Sequence, residues 1–197
     1  MKKSIHLTTP LSAETVRKLK VNDIVTLTGT IYTARDMAHL KLKDLKGSGK
    51  PLPEGFEGSV IFHAGPVVKK IDPGFSLLTI GPTTSIREEP YEADIIRRFG
   101  LRAVMGKRGM GPKTGAALKE YGAVYLHAIG GAAQFYARCL PKVHSVYLLE
   151  ELGVPEAMWV YEARNFPAIV TMDSHGNSLH AEVAATTGAE LEKVGKR

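Results

Sequence analysis

Residues 81–90, "GPTTSIREEP", set three hydroxyls (Thr83, Thr84 and Ser85) and the guanidinium of Arg87 directly behind the apolar run "SLLTI". That run reads as a strand, so the polar groups stand at a strand's end. Two further segments have the same make-up, "GKRGMG" at 106–111 and "GGAA" at 130–133, and each lies between a strand-like run and a helical pattern. In a parallel sheet such loops gather at the carboxyl edge, where ligands of this fold class bind. Glycines let backbone N–H groups approach an anion closely, and helix N-termini add partial positive charge. Thr83, Thr84, Arg87, Lys107 and Arg108 would then point into one basin, with Gly130 and Gly131 on its rim. A guanidinium holds a carboxylate through two parallel bonds, and a lysine adds a point charge beside it. The chemistry this suits is capture of a small di- or tricarboxylate. The competing reading makes Ser85 or Glu89 a helix cap and Arg87 a surface charge.

A fourth segment, "YTARDMAH" at 32–39, places Arg35, Asp36 and His39 just after a strand. Arg35 and Asp36 could form only a salt bridge, with His39 solvated one turn further on. His63, in "IFHAGP", reads as a core histidine. No histidine pair has metal-ligand spacing, so no metal site is expected. Nucleotide hydrolysis is excluded, since "GLRAVMGKR" and "GSGKP" both depart from the phosphate-loop pattern. There is no G-x-S-x-G elbow. Cys139, beside Phe135 and Leu140, reads as a small buried hydrophobe.

The elements that must position these residues follow from the hydrophobic pattern. Residues 23–34 alternate Val25 and Leu27 against Ile24, Thr26 and Thr28, a half-buried strand. Ser12 heads a short helix, 44–57 has the Gly and Pro density of a loop, and 58–68 is a β run broken at Gly65-Pro66. After residue 80 strand, loop and helix alternate. Pro90 opens a helix carrying Tyr91, Ile95, Ile96 and Phe99 on one face, and Gly100 stops it. "LRAVMG", "AVYLHAI" and "HSVYLLEEL" read as strands, and "DSHGNSLH" as a hairpin. Repeated β/α units imply a parallel sheet with right-handed crossovers. One domain over 1–180 and a polar peripheral tail over 181–197 are expected.

At 197 residues, with 44% hydrophobic and 23% charged residues, the chain can bury a sizeable core. A net charge of +6 without an aromatic-studded basic stripe favours small anions over nucleic acid. No apolar run reaches the length of a membrane span, and "MKKSIHLTTP" lacks the apolar core of a signal peptide. A lone cysteine fits a reducing cytoplasm.

In this order, "IFHAGPVV", "GPTTSIR", "MGKRGMG", "EYGAVYLHAIGGAAQ", "EELGVPEAMWVYEARNFPAIV" and "DSHGNSL" resemble the β subunit of two-subunit class I fumarate hydratases. They equally resemble the L-tartrate dehydratase β subunit, from about Leu7 to His180. The resemblance implies a swivelling β/β/α domain, with a parallel sheet layered against a smaller antiparallel sheet and flanking helices. It implies an oxygen-sensitive [4Fe-4S] cluster held by three cysteines of a separate α subunit, whose open iron polarises the substrate hydroxyl. Two α and two β subunits are expected in the hetero-oligomer. Arg35, Thr83, Arg87 and Lys107 match the family's substrate contacts; Thr83 is the candidate for proton transfer, and Asp36 would orient Arg35. The expected reaction interconverts fumarate and L-malate, with L-tartrate dehydration or a non-catalytic anion-binding module as alternatives. Two positions depart from the pattern. Glu88 stands where the family carries Met, and Arg108 adds a cation where the loop more often reads "GKGGM".

Overall fold

The structure, a computed structural model, describes residues 4–44 and 55–194. Residues 45–54 of the expected 44–57 loop, "GSGKP" included, lie outside the described residues. Strands β1 (Ile5–Thr8), β2 (Ile24–Thr33), β3 (Val60–Phe62), β6 (Ala103–Gly106) and β7 (Val124–His127) are parallel neighbours in that order. Strands β8 (Lys142–Tyr147) and β9 (Met158–Met172) join antiparallel and complete a seven-stranded sheet. The main sheet is therefore mixed, not parallel throughout as the β/α rhythm implied. The cause is β9, whose 15 residues pair with β7 and β8 and also run antiparallel along β2, from Ile24↔Ile169 to Tyr32↔Val160. Strands β2, β3, β6, β7 and β9 thus close on themselves, which removes two sheet edges.

The smaller antiparallel sheet is the hairpin β4 (Ala64–Lys70) and β5 (Phe75–Pro82). The break in the 58–68 run falls at His63, one residue long, whereas Gly65-Pro66 lies within β4, paired with Gly81 and Ile80. Pro66 is tolerated there because a two-stranded sheet leaves an edge needing no N–H.

Side chains alternate between two cores, as the period of two requires. Val60, Phe62, Ala103, Met105, Val124 and Leu126 join one core with helices α1 (Ala13–Arg17) and α5 (Ala133–Arg138). Ile61, Val104 and Tyr125 face the other, against α2 (Asp36–Asp44), α3 (Glu92–Phe99) and α4 (Pro112–Tyr121). Trp159 is fully buried, with its indole N–H on the Val154 carbonyl at 2.9 Å, so neither its area nor its donor is wasted.

Helix α3 ends at Gly100 in the left-handed conformation, as expected, but starts at Glu92 rather than Pro90. Strand β8 stops at Tyr147, and Leu149–Leu152 form a short helix α6. "DSHGNSLH" closes as a turn around Asp173, which accepts N–H groups from Val21, His175 and Asn177. One bridge, Met172↔Ser178, remains of the expected hairpin. Helix α7 (Leu179–Val194) follows, and residues 181–188 are exposed. No helix among the described residues is long and apolar enough to cross a membrane.

Candidate active site

Because β2, β3, β6 and β7 are parallel, the residues that follow them emerge at one edge. These are Arg35, His63, Lys107 and the Gly130–Gly131 turn. Thr83 and Thr84 leave β5 and insert into this edge. The Thr83 N–H donates to the His63 carbonyl at 2.7 Å, and the Lys107 N–H to the Thr83 carbonyl at 3.2 Å. The Ser85 N–H then donates to the Lys107 carbonyl at 3.1 Å, and Thr84 and Lys107 form a parallel bridge. The "GPTTS" and "GKRG" segments are thus one hydrogen-bonded unit. The third loop closes on it: a Cβ on Gly130 would lie 3.9 Å from Lys107 Cδ, and one on Gly81 would lie 3.3 Å from Ala133 Cβ.

Two contacts lock this unit from behind. Ser85 Oγ bonds the buried Tyr125 hydroxyl at 2.8 Å, and a Cβ at Gly106 would collide with Ser85 Oγ. Glu89 caps α4. Its carboxylate accepts the N–H groups of Gly111, Lys113 and Thr114 at 2.8, 2.9 and 3.2 Å, and the Thr114 hydroxyl at 2.7 Å. The capping role weighed for Glu89 holds, but on α4 rather than on its own helix. The positive end of α4 is therefore spent on Glu89 and is not offered to a ligand.

Thr83 Oγ1 is buried without a partner, an arrangement that costs about 1–3 kcal/mol unless a ligand satisfies it. Lys107 and Thr84 are half-buried and Arg87 is exposed; among the described residues none of the three has a side-chain hydrogen bond or ion pair. Arg35 is engaged elsewhere: its guanidinium pairs with Glu156 at 3.0 Å, its Nε is buried and unpartnered, and Gly65 packs against its stem. Among the described residues no hydrogen bond or ion pair joins Asp36 to Arg35, and the Asp36 charge acts on the buried Glu88, whose carboxylate oxygens have no hydrogen-bond partner. Arg108 is exposed, at φ +73°. Gly130 and Gly131 are exposed, with Gly131 at φ +86°.

Behind this edge lies a buried cluster that the sequence reading missed. One Glu92 oxygen, Oε2, accepts His39 Nε2 at 2.8 Å and His63 Nε2 at 3.0 Å, and all three side chains are fully buried. His39 is therefore not solvated. Its Nδ1 donates to the Arg35 carbonyl at 2.9 Å, so both ring nitrogens donate and the ring is an imidazolium. Burial by itself would lower its pKa, but the charge and hydrogen bond of Glu92, with Glu88 behind them, raise it to about 9. Burial would raise that of Glu92, and the two imidazoles overturn this and hold it at about 2. Burial lowers the pKa of His63, which stays neutral. Glu88, 3.8 Å from His39, is pushed up to about 8 by burial and by Asp36 and Glu92, against the pull of His39. The ligand atoms of His39, His63 and Glu92 lie within 4.8 Å of one another, a spacing an ion could bridge. At 2.8 and 3.0 Å, however, the ring N–H groups reach the carboxylate directly. One signal could have found the cluster. Glu92, Ile95, Ile96 and Phe99 stand at i, i+3, i+4 and i+7, so an acid lies on the apolar stripe.

The Fumarase C-terminus family model matches residues 1–183. A candidate class I fumarate hydratase of Geobacillus stearothermophilus is 52% identical over 191 residues, 96% of this chain and 35% of that protein. A candidate L(+)-tartrate dehydratase subunit beta of Methanocaldococcus jannaschii is 47% identical over 185 residues, 93% of this chain and 95% of its own. The L(+)-tartrate dehydratase subunit beta of Escherichia coli is 40% identical over 177 residues, 89% of this chain and 86% of its own. The chain spans about a third of the first relative and most of the other two. With the loops of its sheet edge joined as the sequence blocks required, this chain belongs to the Fumarase C-terminus family.

Proposed function

We propose that this chain is the β subunit of an iron–sulfur hydro-lyase that interconverts fumarate and L-malate, in a swivelling β/β/α arrangement. The observation that carries the reading is the unsatisfied set at one sheet edge: the buried Thr83 hydroxyl beside Lys107, with Arg87 on the next turn. These groups have no intramolecular use among the described residues and match a carboxylate in charge and geometry.

Arg87 and Lys107 grip the substrate carboxylates. When a proton leaves the carbon next to a carboxylate, charge builds on its oxygens, and preformed donors aimed there lower the barrier. Lys107 is the donor best placed to meet that charge. Thr83 Oγ1 handles the proton; a threonine is a weak base, so it depends on the adjacent ammonium to stabilise its alkoxide. Arg35 reaches a carboxylate by exchanging Glu156 for substrate. Gly130 and Gly131 leave the rim open to the ligand.

A [4Fe-4S] cluster is held by cysteine thiolates. Here the lone cysteine, Cys139, is packed at the end of α5, and burial raises its pKa. The donors do not fit the cluster, so its ligands lie outside this sequence, on an α subunit. Beside Gly130 the surface is apolar: Ile24, Ile129 and Phe135 are 42%, 56% and 53% exposed along a groove of about 240 Å³, which supports a subunit contact there. A cytoplasmic α₂β₂ assembly accords with this reading.

L-tartrate is the second candidate substrate, because the two relatives of matching length carry that name. The test is co-expression with the cluster-bearing partner under anaerobic conditions, followed by assay with fumarate and L-tartrate. Turnover of fumarate at least tenfold faster supports the first reading, faster L-tartrate dehydration the second, and inactivity toward both sinks the hydro-lyase assignment.

A further inference from the structure

The buried cluster touches every segment to which a substrate contact has been assigned, except that of Lys107. His39 lies one turn after Arg35 and bonds the Arg35 carbonyl through both its ring and its backbone N–H, at 2.9 and 2.8 Å. The carbonyl of His63 receives the Thr83 N–H, and the N–H of His63 donates to Met105 at the end of β6. Glu88 adjoins Arg87 in the 3-10 turn Ser85–Glu88 and packs against His39. Both imidazoles end on a single oxygen of Glu92, at the first residue of α3.

Resting on the proposed function, we propose that Glu92 is a positioning residue: it clamps His39 and His63 and so fixes Arg35, Thr83 and Arg87 relative to one another. Stability is a poor explanation for such a cluster, because desolvating a buried ion pair consumes most of its Coulomb gain, and well-packed apolar residues commonly do as well. A single carboxylate oxygen with two imidazole donors has instead a defined geometry that apolar packing lacks. It ties the first turn of α2, the end of β3 and the start of α3 to one point. Errors of about 1 Å in such placement cost on the order of a hundredfold in rate.

Glu92 touches no substrate, so the test separates positioning from bulk stability. Glu92→Gln keeps the shape and one acceptor but loses the charge that holds the His39 proton. Nitrogen NMR of the full-length chain should show His39 doubly protonated at pH 7.5 in the wild type and neutral in Glu92→Gln. The amide signals of Arg35, Thr83 and Arg87 should move with it, while the amides of β8 stay in place. In the assembled complex, kcat/KM should fall at least tenfold at a temperature where both proteins are fully folded by circular dichroism, although the thermal midpoint drops, and Glu92→Asp should recover part of it. Unmoved Arg35, Thr83 and Arg87 amides, or a kcat/KM within twofold of wild type, would overturn the proposal. So would zinc binding that shifts both imidazoles of the wild type, since the cluster would then be a metal site. If the wild-type complex had no hydro-lyase activity, the proposed function would fail alone and the amide signals would still decide the clamp.

Discussion

At the scale of single residues, three cationic groups carry the proposed chemistry and differ in how they are held. Arg87 is exposed and free of partners among the described residues, so its value lies in the shape of its fork. Arg87→Lys keeps the charge and loses the bidentate geometry, which is not a conservative change at such a site. It should lower kcat/KM by about a hundredfold (roughly 2.7 kcal/mol) with the fold intact by circular dichroism. Lys107 is proposed to meet charge that appears in the transition state, so Lys107→Met should depress kcat more than it raises KM. Arg35, a ground-state contact, should show the opposite split in Arg35→Met, and steady-state kinetics on both variants would expose exchanged roles. Glu88 yields a prediction that needs no substrate. Its pKa, about 8 in the fold against the ordinary 4.5, means the folded chain holds a proton the unfolded chain releases. That contribution to stability is complete below about pH 4.5 and is lost as pH rises toward 8. Asp36 and His39 from α2 and Glu92 from α3 face this group. His39 adds a loss of the same sign between about pH 6.5 and 9 in both proteins. Glu88→Gln, which stays neutral, should therefore melt several degrees above wild type at pH 8 and close to it at pH 5. An equal difference at both values would show that Glu88 is ionised in the fold.

At the scale of elements, the carboxyl edge of four parallel strands does the positioning, and Glu89 fastens α4 to the turn that carries Arg87. Glu89→Ala removes a cap of about 1–2 kcal/mol, which in a chain of this size lowers the thermal midpoint by about 2–8 °C. Glu89→Gln, which keeps acceptors without charge, should recover part of that loss by calorimetry. The convergence of Thr83, Thr84, Lys107 and Gly130 was legible in the sequence because local cues sufficed. Glycines after apolar runs mark the loops, and the β/α order sends parallel strands in one direction. The alternation in β2 and the stop at Gly100 were legible for the same local reason. What could not be read depends on contacts distant in sequence. The long β9 returns along β2, more than 120 residues away, and no local pattern tells an antiparallel return from a parallel one. Glu92 reaches His39 and His63 across 53 and 29 residues, and no pattern within one segment joins them. Glu89 reads locally as a helix cap, but the helix it caps is α4, whose Gly111 N–H lies 22 residues on.

At the scale of the whole molecule, the proposed carboxylate grip stands in a sequence whose one cysteine cannot hold the Lewis-acidic cluster that the proposed function requires. Its net charge of +6 favours anionic substrates, and an apolar groove borders the proposed site, so charge attracts the ligand while an apolar contact would close over it. The division of labour is the central claim: carboxylate binding and proton handling here, cluster ligation on a partner. One thiol cannot hold four irons. The measurement that tests this most directly is anaerobic iron–sulfur reconstitution of the purified chain, followed by absorption spectroscopy and hydro-lyase assay, with and without the cluster-bearing partner. The chain alone should stay colourless and inactive, and activity should arise only in the complex. A brown chain that turns over fumarate or L-tartrate by itself would contradict the account.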